Sequence, residues 1–184
     1  FCTASAMVVI AIAHAATAGY DSAQFVLDDG AADGTALIQA KAHQNVGAVR
    51  SSNDRLSDAS FVTFARWRGL YGVYLWNTAI TGVGFSKLEE HPYLFQVTLF
   101  GPNVNDDGVR AVSRLPHVTH LQVGNGYDAT DCKLKVHPAI VTDQSLESLA
   151  TMAKIKYLFI ENADITDEGI QRLSSLKSVE AIRF

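Results

Sequence analysis

Side chains able to do chemistry gather in two places in this sequence, and both point to recognition rather than turnover. The first is a set of polar and aromatic residues, Tyr74, Trp76, Thr98, Phe100, His120, Gln122, Tyr157, Phe159 and Glu161, carried on short segments in which apolar residues alternate with others. Rings displayed on a rigid face are the residue types that dominate binding hot spots. The second is the segment from Gly124 to Ile140, which holds Asp128, Asp131, Cys132 and His137. Carboxylate, thiol and imidazole can ligate a metal or pair as nucleophile and base, but these four lack tight ligand spacing and an orienting third group. The segment therefore reads as a surface loop, with no metal and no cofactor expected. A Gly-rich phosphate loop ending in Lys, an H-E-x-x-H pair and a G-x-S-x-G turn are all missing from the sequence, so the common enzyme classes find no support.

Composition narrows the partners. The chain has 184 residues, 48% of them hydrophobic and 18% charged, with a net charge of -4, which suits one globular domain. Its basic residues are scattered, with no run to track a phosphate backbone, so nucleic acid is not an expected partner. Two cysteines, Cys2 and Cys132, are too few and too far apart for a disulfide framework or a thiolate zinc site. The stretch Ala4 to Ala18 is almost wholly apolar and ends in Ala16-Thr17-Ala18, a small-x-small pattern. Residues 1–18 are thus expected to be a signal peptide, lacking its start and basic region, or else an apolar helix capping the N-terminal end of the domain. The first alternative implies a secreted or periplasmic protein and the second a cytoplasmic one. At this length the stretch is too short for a membrane span.

The elements that position the candidate residues emerge from internal repetition. Units begin near 25, 49, 73, 97, 121, 158 and 182, a period of 24 residues with one 13-residue insertion within 124–140. The first apolar column is Phe25, Val49, Val73, Val97, Leu121, Leu158 and Ile182; two residues on it is Leu27, Ser51, Leu75, Leu99, Val123, Ile160 and Phe184. A spacing of two fits a strand with alternate residues inward. Later columns advance by three residues, as in Phe61, Phe64, Trp67 and Leu70, and predict the buried face of a helix. Between them lies a column of helix N-cap types, Asp33, Ser57, Thr81, Asn105, Thr142 and Thr166, with acids such as Asp58, Asp106 and Asp143 next in line, which a helix dipole favours. His43 and His91 interrupt a column that elsewhere holds Trp67, Leu115, Met152 and Leu176. Near helix C-termini, an imidazole of this kind can satisfy loose carbonyls. Gly108 and Gly169 are explained by close packing between units.

The runs Leu94-x-x-Val97-x-Leu99 with Val104-Asn105-Asp106-Asp107-Gly108-Val109, and Ile165-Thr166-Asp167-Glu168-Gly169-Ile170 with Leu173, Leu176 and Val179, resemble the leucine-rich-repeat family over about residues 24–184. They are most similar to its ribonuclease-inhibitor-like and cysteine-containing subclasses and to repeats of secreted bacterial proteins. The resemblance implies an α/β fold: a right-handed solenoid over residues 19–184, with a parallel sheet on the concave face and helices on the convex face. The sequence departs from the family three residues after the second strand apolar, where Asn, Cys or Thr is usual and Gly30, Asp54, Thr78, Pro102, Gly126 and Ala163 stand. Only Thr78 and Asp54 suit a hydrogen-bonding role there. A polar column one residue earlier, Asp29, Asn53, Asn77, Asn125 and Asn162, can supply the turn chemistry instead, although Gly101 breaks it.

Alternation then puts the nine candidate residues on the concave face. Tyr74, Trp76, Phe100, Tyr157 and Phe159 are expected there as exposed aromatics, unless crowding on the face covers them. The expected function is non-catalytic binding of a protein or peptide. The alternative is a substrate-recognition or structural segment of a larger protein, such as a ubiquitin-ligase-type adaptor or an enzyme whose catalytic domain lies elsewhere.

Overall fold

The computed structural model describes residues 23–26, 46–51, 56–125, 127–128, 135–136 and 140–184. Its centre is one parallel sheet of seven strands: β1 (Ala23–Val26), β2 (Val46–Ser51), β3 (Gly72–Trp76), β4 (Gln96–Phe100), β5 (His120–Gly124), β8 (Tyr157–Glu161) and β9 (Ala181–Arg183). Spatial order follows chain order, and β5 passes directly to β8. Phe25, Val49, Val73, Val97, Leu121, Leu158 and Ile182 form one row of paired residues across the sheet. From Val49 to Leu158 this row is fully buried, and so are Leu75, Leu99 and Val123 two residues on. Parallel neighbours need a crossover between them, and from β2 onward each crossover contributes apolar side chains to the same core.

Those crossovers are less uniform than the sequence columns suggest. Helices α1 (Phe61–Phe64), α2 (Asp106–Ser113), α3 (Asp143–Leu149) and α4 (Asp167–Arg172) are α-helical. The crossover from β3 to β4 is instead a 3₁₀ helix, Val83–Leu88. The step of three from Phe85 to Leu88 matches the three residues per turn of that tighter helix; His91 and Leu94 lie beyond its end, and all four are buried. Gly82 enters it with φ of 102°, a left-handed conformation open to glycine. Among the described residues, no helix is long and apolar enough to cross a membrane.

The cap column acts largely as its residue types predict. Asn105 accepts from the amide of Gly108 at 3.0 Å, Thr142 from Gln144 at 3.3 Å, Thr166 from Gly169 at 3.2 Å and Thr81 from Val83 at 3.3 Å. Ser57 is the exception, since its side chain makes no cap bond. The acids after the caps do more than sit at helix N-termini. Asp58 accepts from the amide and hydroxyl of Thr81 at 3.0 and 2.9 Å, and from the amides of Gly82 and Gly84. Asp106 likewise holds the amide and hydroxyl of Thr142, both at 2.8 Å, and Asp143 those of Thr166 at 2.8 and 2.6 Å. Each carboxylate thus fastens one crossover to the next.

The junction between the Val83–Leu88 crossover and α2 is built differently. Gly82 stands where the aspartates stand elsewhere, and a Cβ on Gly108 would strike the carbonyl of Thr81, so two backbones meet there directly. At Gly169 a Cβ would meet the Asp143 carboxylate. The close packing expected at both glycines is therefore present, with a different neighbour at each.

The turn after the strands also departs from expectation in one respect. Thr78, singled out for hydrogen bonding, is 1% exposed and its hydroxyl has no partner among the described residues. The work falls to the asparagine column: Asn77 and Asn162 take φ of 50° and 49°, the left-handed region that asparagine tolerates. Asn125 is fully buried; its amide donates to the carbonyls of Val104 at 2.8 Å and Gly101 at 3.4 Å, while its oxygen accepts from Ile140 at 2.6 Å and Val141 at 3.2 Å. It closes the mouth of the insertion, within which β6 (Tyr127–Asp128) and β7 (Lys135–Val136) form a separate antiparallel pair.

Candidate functional site

The face of the sheet turned away from the core carries the nine candidate residues, in three rows fixed by strand register. Gly72, Gln96, His120 and Tyr157 form the first row, Tyr74, Thr98, Gln122 and Phe159 the second, and Trp76, Phe100, Gly124 and Glu161 the third. Strand pairing holds neighbours in a row about 5 Å apart, close enough for side chains to cover one another.

That crowding corrects the expectation of uniformly exposed rings. Tyr74 is buried, at 9% exposure, and Thr98 more deeply, at 2%. The Tyr74 ring stacks on Trp76 with centroids 6.2 Å apart, lies under the Arg50 guanidinium at 4.7 Å, and covers the position where Gly72 has no side chain. Burial holds the Tyr74 phenol above its ordinary pKa, and the Arg50 charge opposes the shift. Trp76, at 36% exposure, is the exposed ring of the set, and Phe100, Tyr157, Phe159, His120, Gln122 and Glu161 are half-buried. The Thr98 hydroxyl donates to Gln122 Oε1 at 3.4 Å. The site is therefore a mixed apolar and amide surface with Trp76 proud of it.

A second aromatic feature lies where the strands begin. Tyr71 stacks on Phe95 at 5.8 Å, Phe95 meets His120 edge-on at 6.2 Å, and His120 lies 4.6 Å from Tyr157. The Tyr157 hydroxyl donates to Glu180 at 2.5 Å, and Lys156 pairs with the same carboxylate at 2.8 Å. These bonds hold Glu180 below its usual carboxylate range and raise the Tyr157 phenol and the Lys156 ammonium. Sequence reasoning named His120 and Tyr157 but missed Tyr71 and Phe95, although their spacing of one period carried the signal.

The remaining candidates resolve simply. His91 is buried and its Nε2 lies 2.8 Å from the carbonyl of Trp67, so Nε2 carries the proton and donates. The carbonyl it satisfies is in the preceding crossover, and Trp67 and Met152 lie in the core. His43, Asp131, Cys132 and His137, the caps and turns before Val46, and residues 1–18 lie outside the described residues, as do the side-chain placements of Asp128. Among the described residues no group of three or more His, Cys, Asp or Glu is placed to hold a metal ion. No protein-family model and no curated protein matches this sequence.

Proposed function

We propose that this chain is a leucine-rich-repeat solenoid that binds a protein or peptide partner on the outer face of its sheet and performs no catalysis itself. In this reading the stack is right-handed, the sheet lines its concave side and the helical segments its convex side. Support comes from the chain-ordered parallel sheet with its 24-residue register. The observation that carries the function is Trp76, an exposed indole braced from below by Tyr74 and flanked by half-buried Phe100. A ring that is held rigid loses little conformational freedom when a partner covers it, which is the profile of a hot-spot residue. If residues 1–18 are a signal peptide, the protein is secreted or periplasmic; if they are a cap helix, it is cytoplasmic.

Capture from the native extracytoplasmic fraction, using residues 19–184 with the wild-type sequence and with Trp76→Ala, tests the reading. A partner held by the wild type and lost by the variant supports it. Equal capture by both moves binding off this face.

A further inference from the structure

Tertiary structure gathers charges that are scattered in the sequence onto two opposite edges. The edge where crossovers begin carries Asp58, Asp106, Asp107, Asp143, Asp164, Asp167 and Glu168, several of them used up in fastening neighbouring crossovers. The opposite edge, where helices end and strands start, carries Arg66, Arg68, Arg114, Lys154, Lys156 and Lys177 against Glu89, Glu90 and Glu180. Of these cations, Lys156 is neutralised by Glu180, and Arg114 stands 3.8 Å from Glu89. Arg66, Arg68 and Lys154 are exposed and make no ion pair with a described carboxylate; Lys154 Nζ lies 3.4 Å from His117 Nδ1.

On this basic edge lies the ribbon of Tyr71, Phe95, His120 and Tyr157, which crosses four neighbouring strands. Phe95 is 40% exposed and Tyr93 beside it 50%. An apolar ribbon with exposed cations beside it is complementary to an extended segment that carries both apolar side chains and carboxylates.

We infer that this edge docks an acidic, extended peptide segment, its apolar side chains along the ribbon and its carboxylates on Arg66, Arg68 and Lys154. The ribbon shares His120 and Tyr157 with the outer face but lies at the opposite end of the strands from Trp76, so Trp76→Ala distinguishes the two.

The test is fluorescence anisotropy with a fluorescein-labelled peptide of alternating glutamate and leucine, interrupted by proline to keep it extended. Titrations use the full chain, the triple charge reversal Arg66→Glu/Arg68→Glu/Lys154→Glu, and Phe95→Ala; thermal melts verify that the variants fold. The expected result is saturable binding that weakens at least tenfold in the reversal, weakens in Phe95→Ala, falls with added salt, and is not reproduced when lysine replaces glutamate in the peptide. Charge reversal moves only exposed side chains, so folding survives even if Phe95→Ala proves unstable. Absence of binding, or binding unchanged by the reversal, overturns the inference. Equal or tighter binding of oligodeoxythymidylate also overturns it, because the edge then reads polyanions rather than an acidic peptide. Trp76→Ala, assayed in parallel, leaves this binding unchanged, which separates the result from that of the outer face.

Discussion

The carboxylate of Asp58 accepts from both the amide and the hydroxyl of Thr81, 23 residues further along the chain, and the same pairing recurs between Asp106 and Thr142 and between Asp143 and Thr166. One side chain thereby satisfies free amides at the start of the next crossover, where intrahelical partners do not exist. The fold is sewn along its edge by charge-assisted bonds as well as through its core.

Replacing Asp58 by Ala strands the amides of Thr81, Gly82 and Gly84, and the expected loss is about 2 kcal/mol, the usual scale for hydrogen bonds to a charged group. Thr166→Val, at an exposed link, loses the bond to Asp143 and the cap on Gly169 and costs about 1 kcal/mol. Urea unfolding of both variants measures the difference. Equal, negligible losses would mean that the carboxylates only decorate helix ends.

Asn125 bonds to four backbone groups while fully buried. Asn125→Ala leaves those groups unpaired and is expected to cost about 3 kcal/mol or more. Deleting residues 127–139, with Asn125 kept, leaves β5 paired to β8 and the sheet folded. Circular dichroism melts check both; an unfolded deletion variant would show that the insertion supports the sheet.

Tyr74 and Trp76 touch, yet their replacement by Ala should differ in kind. Tyr74→Ala removes a buried ring and is expected to cost about 3 kcal/mol, lowering the melting temperature by roughly 10 °C. Trp76→Ala removes an exposed ring and one stacking contact, worth about 1 kcal/mol. Reversal of that order in calorimetry would contradict the burial of Tyr74.

His91 gives the protein an acid sensitivity whose sign is set by its surroundings. Burial lowers its pKa, and its Nδ1 has no partner to receive a second proton's charge. The unfolded chain therefore takes up a proton at about pH 6.5, where the folded chain does not. Stability is full above that pH and declines as pH falls from there toward the folded-state pKa. In His91→Leu this slope between pH 7 and pH 5 should flatten, although loss of the bond to the Trp67 carbonyl, which keeps the Leu70 amide as its other partner, lowers stability slightly at every pH. An unchanged slope in melting temperature against pH would place the titrating group elsewhere.

Much of the strand register was legible because it depends on local chemistry repeated at a fixed interval. Each of Val49, Val73, Val97, Leu121 and Leu158 sits in a segment whose alternation fixes which side must be buried, and a slip by one residue would turn all of them outward. The skip from Leu121 to Leu158 could be read for the same reason. Most caps were legible from residue type alone, as Asn105 and Thr166 show. The 3₁₀ form of Val83–Leu88 was hidden because three-residue steps fit either helix.

What the sequence by itself determined is therefore the alternation of each strand, the columns that face the core and the polar types at each turn, all consequences of short-range periodicity. Only the tertiary structure decided what residues one period apart do to one another. It buried Tyr74 between Arg50 and Trp76, passed the carboxylate of Asp58 to Thr81, and brought Tyr71, Phe95, His120 and Tyr157 into one ribbon beside exposed cations. Burial, hydrogen-bond partners and local potential depend on distances across neighbouring strands of about 5 Å, and those distances exist only once the chain has brought separated segments side by side.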